Sequence, residues 1–183
     1  DRVLEEVSAP LKSNNLRLRR ASSPDDVAAI MQQIKDLAEY EKALDEVKIE
    51  EQTLIADGCM DDVGSGDQPI YYCMLVEHCG GGGAWSSVGY GFFFFNYSTW
   101  TGRGLYLEDL HINADKRGLG GGKSVMKALA KIALASSCAR FTWQAIDWNK
   151  NAFEFYESIG ANVLKEWITL RMESDAMQRF VSR

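Results

Sequence analysis

Leu105-Tyr106-Leu107-Glu108-Asp109-Leu110-His111-Ile112 is an apolar run of strand character. Arg117-Gly118-Leu119-Gly120-Gly121-Gly122-Lys123 follows it across a short polar turn, and an alanine-rich helical segment begins at once. The order is strand, glycine loop, helix. Glycine lets a backbone approach a ligand closely, and the first turn of a helix presents N–H groups with a partial positive charge, so the junction suits an anion, typically phosphate. Two common glycine signatures fail here at one residue each. A P-loop ends as Gly122-Lys123-Ser124 does, but Arg117 stands where its first glycine is required. A dinucleotide fingerprint starting at Gly118 needs a third glycine where Lys123 stands. The residues do satisfy Arg-x-x-Gly-x-Gly, through Arg117, Gly120 and Gly122. As a bare pattern this also fits a solvated glycine-rich turn.

The surrounding segments narrow the choice. Tyr106-Leu107-Glu108-Asp109 precedes the loop, and Asp147-Trp148-Asn149-Lys150-Asn151-Ala152, Phe155-Tyr156 and Ile159-Gly160-Ala161 follow it. Upstream stand Leu37-Ala38-Glu39-Tyr40-Glu41-Lys42, Val47-Lys48-Ile49, Ala56-Asp57-Gly58 and Tyr97-Ser98-Thr99-Trp100. In order and separation these pieces, over residues 16–173, resemble the GNAT superfamily (GCN5-related N-acetyltransferases), and within it the diamine and polyamine acetyltransferases. The resemblance implies an α/β (α+β) GNAT fold, a mixed and mostly antiparallel central sheet flanked by helices on both faces. It also implies acetyl-CoA as co-substrate, with its diphosphate on the backbone N–H groups of the glycine loop.

Bulk properties agree with a small-molecule enzyme. A chain of 183 residues with 46% hydrophobic residues builds one core, so a single domain is expected over residues 16–183 after a polar extension over residues 1–15. A formal charge of −6 without any basic run argues against nucleic acid and tolerates a cationic ligand. Cys59, Cys73, Cys79 and Cys138 form no C-x-x-C pair, and His78 and His111 are the only histidines, so no zinc-type spacing exists and no metal is expected. Idle thiols fit a reducing, cytoplasmic compartment, although an exported chain could pair them. Uninterrupted apolar runs such as Phe92-Phe93-Phe94-Phe95 fall far short of the roughly 20 residues of a membrane span. The first residues do not resemble a signal peptide, and a start at Asp1 rather than methionine fits removal of an upstream segment.

Periodicity places the elements. Strands are expected over residues 16–20, 70–76, 88–97, 105–112, 140–147 and 167–172. Ser23-Pro24-Asp25-Asp26 reads as a helix start with Ser23 as N-cap, and Val27, Ile30, Met31, Ile34, Leu37 and Ala38 form the apolar stripe behind it. Shorter helices are expected over residues 50–56 and 152–156, the latter stopped near Gly160, and loops over residues 61–69, 79–83 and 98–104. Val125, Met126, Leu129, Ile132 and Ala133 give the helix after the glycine loop one core-facing side.

Acetyl transfer from a thioester to an amine requires a neutral amine, stabilisation of a developing oxyanion and a proton for the departing thiolate. Alkylamines have a pKa of about 10, so at neutral pH only about one in a thousand is unprotonated, and a base is needed. Glu108 matches the family's acidic position for that base, acting through water, and Tyr156 matches the tyrosine that protonates the thiolate. As plain residues they also read as a strand carboxylate paired with a cation and a core aromatic. The resemblance further implies that Leu110, His111 and Ile112 pair with the pantetheine arm through their backbone. Arg117, Gly118, Leu119, Gly120, Gly121, Gly122 and Lys123 would take the diphosphate, and Asn149 and Ala152 would also contact the cofactor. Tyr40, Glu41, Ser98, Trp100 and Trp143 are expected at the amine site.

Two departures stand out. Gly121 occupies a position that is usually apolar in the family, which implies a looser loop before acetyl-CoA arrives. Ser98 occupies the place where polyamine-acetylating members carry an acid, and Tyr97-Ser98-Thr99-Trp100 is similar to the branch that prefers lysine-like amino acids such as thialysine. Thialysine-type or small diamine substrates therefore rank above spermidine and spermine, and a homodimer is implied. The alternatives are a protein-lysine or N-terminal acetyltransferase, which needs an open peptide groove, and a non-catalytic acyl-CoA sensor, which would have lost Glu108 and Tyr156.

Overall fold

The computed structural model describes residues 15–60 and 68–182, so nearly all of the extension expected over residues 1–15 and most of the loop expected over residues 61–69 lie outside the described residues. The chain divides into two compact units after Gln144.

The first unit is built on a five-stranded sheet in the order β1-β2-β3-β4-β5. Its strands are β1 (Leu16–Arg20), β2 (Tyr72–Cys79), β3 (Trp85–Ser98), β4 (Gly102–Ile112) and β5 (Arg140–Trp143). The first four pair antiparallel, and β5 joins β4 in parallel. Among the described residues, three α-helices accompany it: α1 (Val27–Tyr40), α2 (Glu51–Asp57) and α3 (Gly121–Ala135). Consecutive strand residues point to opposite faces, and that fixes where α1 and α3 lie. Tyr90 packs in a cluster with Val27, Ile30 and Met31 of α1, whereas a Cβ at Gly91 would stand 2.5 Å from Val125 of α3. The two helices therefore cover opposite faces of the sheet.

Both expected helical faces are core. Val125, Met126, Leu129, Ile132 and Ala133 are buried, as are Val27, Ile30 and Met31, while Ile34, Leu37 and Ala38 of the expected stripe are half-buried. Each fully buried side chain of this size contributes about 2 kcal/mol through apolar surface removed from water. Ser23 is the N-cap, as expected, but of a 3-10 turn that leads into α1. The turn spans Pro24–Asp26, and Asp26 Oδ2 accepts the backbone N–H groups of Ser22 and Ser23. Asp26 also accepts from Arg19 Nη2 at 2.6 Å, while Glu77 accepts from Arg17 at 2.5 Å and from Arg19 at 2.9 Å. Burial pushes the Asp26 carboxyl up, but the Arg19 hydrogen bond, the two backbone donors and the charge of Arg19 together hold it below its ordinary range. A depressed carboxyl stabilises the fold above its unfolded pKa of about 4, and that contribution disappears as the pH falls through the lower folded value. Asp26→Asn should cost about 2 kcal/mol in denaturant titrations at pH 7, with the difference from wild type shrinking on acidification.

Four strands differ from their expected bounds, among them β3, which runs over Trp85–Ser98 instead of residues 88–97. β2 begins at Tyr72 and continues to Cys79, and the glycine turn then closes with the Gly83 N–H on the Gly80 carbonyl. The turn after β3 is shorter than residues 98–104, because β4 already begins at Gly102. β5 ends at Trp143 instead of residue 147, and its cause lies in β4. Phe92 pairs with Asp109 and Phe93 with Leu107, so Glu108 is an extra residue, a β-bulge. The parallel ladder stops at Leu107↔Trp143, one residue short of that bulge.

The second unit contains α4 (Lys150–Ser158) and α5 (Ser174–Val181). The strand expected over residues 167–172 does not form, and residues 161–173 carry no helix or strand. Trp167, Ile168 and Leu170 are exposed there, so the alternation of the sequence is present without a ladder to use it. The helix α5 is additional to the sequence-based expectation. Among the described residues no helix is long and apolar enough to cross a membrane.

Candidate active site

The bulge decides what β4 presents. Phe92 and Phe93 point to opposite faces, so their partners Asp109 and Leu107 do as well, although two apart in sequence. Leu105 and Leu107 before the bulge, and Leu110 and Ile112 after it, thereby all remain on the α3 face. Asp109 and His111 fall on the α1 face, and Glu108 opens to solvent at the break. The change of apolar phase from 105 and 107 to 110 and 112 was the visible mark of this bulge in the sequence.

Three carboxyl groups influence one another here. Tyr90, wholly buried, donates from its hydroxyl to Asp109 Oδ2 at 2.6 Å. Burial raises the Asp109 carboxyl, and the Tyr90 hydrogen bond offsets part of that rise. Partial desolvation, then the charge of Asp109, holds Glu108 above its ordinary range, and the same two causes raise Glu41. A carboxylate tuned upward in this way is a stronger base near neutrality. His111, assigned to the cofactor by its backbone, has a buried side chain whose Nδ1 lies 3.0 Å from Gln33 Oε1 on α1, and burial lowers its pKa.

The glycine loop has the geometry of an anion cradle. Gly118 and Gly120 adopt φ of +78° and +92°, and a Cβ at either would meet nothing within 4 Å. The first intrahelical bond of α3 runs from Ser124 N–H to the Gly120 carbonyl, which leaves the amides of Gly121, Gly122 and Lys123 without intrahelical acceptors. Gly121 is buried, and a Cβ there would lie 3.2 Å from Ile112 and 3.3 Å from Val76. The extra glycine brings the start of α3 close to the sheet. Beyond Leu107 the β5 ladder does not reach Leu110, His111 or Ile112, which suits the backbone of that edge to an added strand-like ligand. Arg117 donates to the Ile112 carbonyl at 2.9 Å and lies over the Tyr40 ring at 5.1 Å, so one expected cofactor residue meets one expected amine-site residue.

Other expected residues stand elsewhere or serve local structure. Ser98 is buried and its Oγ accepts the Trp100 N–H at 3.2 Å, while the Trp100 ring is 82% exposed. Trp143 stands where β4 and β5 part, with its ring 4.9 Å from Phe141. In the second unit, Asn149 caps α4 by accepting the Ala152 N–H at 3.2 Å, and Tyr156 lies on α4 beside Phe155. A pocket of about 630 Å³ lined by Met31, Lys35, Leu44, Val47, Ile49, Glu50 and Glu51 includes none of the expected site residues. Tyr90, Asp109 and Gln33 are polar members that the sequence reading left unassigned. An Asp beside the expected base, and a Tyr in an otherwise apolar strand, were the available signals.

The mostly antiparallel sheet with one parallel pair, flanked by helices and followed by the glycine loop before α3, agrees with the GNAT fold expected from the sequence. The Acetyltransferase (GNAT) family matches residues 39–161, and the chain belongs to that family of enzymes. It is 38% identical over 172 residues to the thialysine N-ε-acetyltransferase of Sus scrofa, covering 91% of this chain and 98% of the pig protein. The thialysine N-ε-acetyltransferase of Mus musculus is 39% identical over 173 residues, with the same coverage of both chains. Among solved structures, an integron cassette protein from the mobile metagenome of V. cholerae has the same fold. It matches with a TM-score of 0.70 at 22% identity over 93% of this chain and 100% of that one.

Proposed function

We propose that this enzyme transfers the acetyl group of acetyl-CoA directly to a primary amine of a small cationic molecule, with a thialysine-like amino acid or small diamine as acceptor. The observation that carries the reading is the bulge, which presents Glu108 to solvent beside two further carboxyl groups, Asp109 and Glu41, one strand end away from the glycine loop. Anionic side chains attract an ammonium substrate, and the raised Glu108 removes its proton through water. Identity of 38% along nearly the whole of a thialysine acetyltransferase supports the choice of acceptor.

Acetyl-CoA supplies an activated acyl group and a thiol leaving group. The residues fit it by a cradle of glycines with positive φ, three helix-start amides and an unladdered stretch of β4. Gly118 to Lys123 would hold the diphosphate, Leu110 to Ile112 the pantetheine arm, and Asn149 and Ala152 would add contacts. A backbone N–H of the β4 stretch would stabilise the carbonyl oxygen as charge develops. Tyr156 would give its phenolic proton to the departing sulfur. Tyr40, Trp100 and Trp143 would line the amine site, with Ser98 shaping the turn that carries Trp100.

Gly120→Val is expected to weaken acetyl-CoA binding at least tenfold by calorimetry, because a β-branched residue resists φ of +92° and its side chain would enter the open side of the loop. Unchanged affinity in a folded variant would remove the loop from the cofactor site. The acceptor class is tested by comparing kcat/KM for thialysine, lysine, small diamines, spermidine and lysine-containing peptides. The proposal expects free thialysine or a diamine to exceed any peptide by at least about tenfold, and a peptide preference would replace it with protein acetylation.

A further inference from the structure

The ring of Tyr90 is part of the core, in the cluster with Val27, Ile30 and Met31, and phenylalanine would serve that packing equally well. Its hydroxyl does something else. A buried phenol needs a partner, and this one has the carboxylate that follows the proposed base in sequence, at 2.6 Å. The pairs Tyr90↔His111 and Phe92↔Asp109 make Tyr90 and Asp109 diagonal neighbours on one face. The bulge at Glu108 brings them together: if Glu108 instead took a regular place in the ladder, it would pair with Phe92, and Asp109 would share the face of Leu107, away from Tyr90.

Resting on the reading of Glu108 as the base, we infer that Tyr90 is a positioning residue of the amine site, acting on Glu108 through Asp109. A phenolic donor binds the carboxylate anion more strongly than the acid, so the bond favours ionised Asp109. An anion at Asp109 makes a proton on Glu108 more welcome and strengthens Glu108 as a base. Asp109 is faced by Tyr90 from β3, Cys73 from β2, Glu41 at the end of α1, and Glu108 and Tyr106 on β4. Burial pushes the Cys73 thiol up, and burial with nearby carboxylates raises both phenols, so these three keep their protons at neutral pH. Glu41, Glu108 and Asp109 are therefore the members that exchange protons below it, and they titrate as a coupled group.

The test is Tyr90→Phe in the full chain, read by carboxyl ¹³C NMR titration of the enzyme alone and by the pH profile of kcat with thialysine. Loss of the donor should move the Asp109 step up by about one pH unit. Asp109 then takes the first proton, and the Glu108 step moves down. The acid limb of kcat should follow Glu108 to lower pH, and plateau kcat should fall about threefold as a weaker base does the work, with KM for acetyl-CoA unchanged. Asp109→Asn, which removes the charge itself, should lower the Glu108 step in the same direction and covers the case in which Tyr90→Phe fails to fold. Unmoved carboxyl steps with a superimposable kcat profile would make Tyr90 a packing residue. An Asp109 step that rises while Glu108 and kcat stay fixed would equally overturn the inference. If the wild-type enzyme acetylates no amine, the proposed function fails by itself, and the NMR titration still decides the link from Tyr90 to Glu108.

Discussion

Glu108→Gln is expected to lower turnover about a hundredfold at pH 7 and to lose less as the pH approaches about 10, where the amine deprotonates without help. Glutamine keeps the size and hydrogen-bonding reach of the side chain at the bulge but cannot accept the proton. The wild-type profile carries the sign of the argument. Partial burial and the charge of Asp109 raise Glu108 above the ordinary carboxyl range, so activity should climb as the pH rises through that elevated value. The variant should lack this limb and retain the slope of the free amine alone. A fall in turnover without any change in profile shape would make Glu108 a structural carboxylate and pass the role of base to Asp109 or Glu41.

Tyr156→Phe is expected to reduce turnover by about a hundredfold with acetyl-CoA affinity changed much less. The ring is partly buried on α4 beside Phe155, and phenylalanine preserves that packing while deleting the proton donor. Single-turnover measurements locate the loss in the chemical step. A coenzyme thiolate is a fairly good leaving group, which limits the loss a missing acid can cause. A drop below about threefold, with chemistry rate-limiting, would leave Tyr156 as a packing residue and move the proton to water or another side chain.

What could be read in the sequence was local. The apolar stripes on α1 and α3 follow the helical period, and their residues are buried except Ile34, Leu37 and Ala38 at the end of α1, which are half-buried. The glycine loop was legible because its backbone conformation and its residue type are the same fact: φ of +78° and +92° falls on Gly118 and Gly120. Pairings across long separations were not legible. Arg19 and Asp26 are seven residues apart and Glu77 meets both Arg17 and Arg19 from another strand, which no periodicity announces. Residues 167–172 alternate as a strand does, but alternation records only amphipathy, and a strand exists where a neighbour supplies its hydrogen bonds. The length of β5 likewise depends on the bulge in β4, which sequence marks only as a slip in apolar phase. At the site Glu108 was legible and Tyr90 was not, because a tyrosine in an apolar strand announces packing and conceals its hydroxyl.

Direct acetyl transfer to a side-chain amine of a small cation fixes a stoichiometry between thiol and product. Incubating the wild-type enzyme with acetyl-CoA and thialysine, and counting free thiol against acetylated product by mass spectrometry, tests it most directly. One terminal-amine acetylation is expected for every thiol released. Thiol release without an acetylated amine, or acetylation confined to the α-amino group, would contradict it.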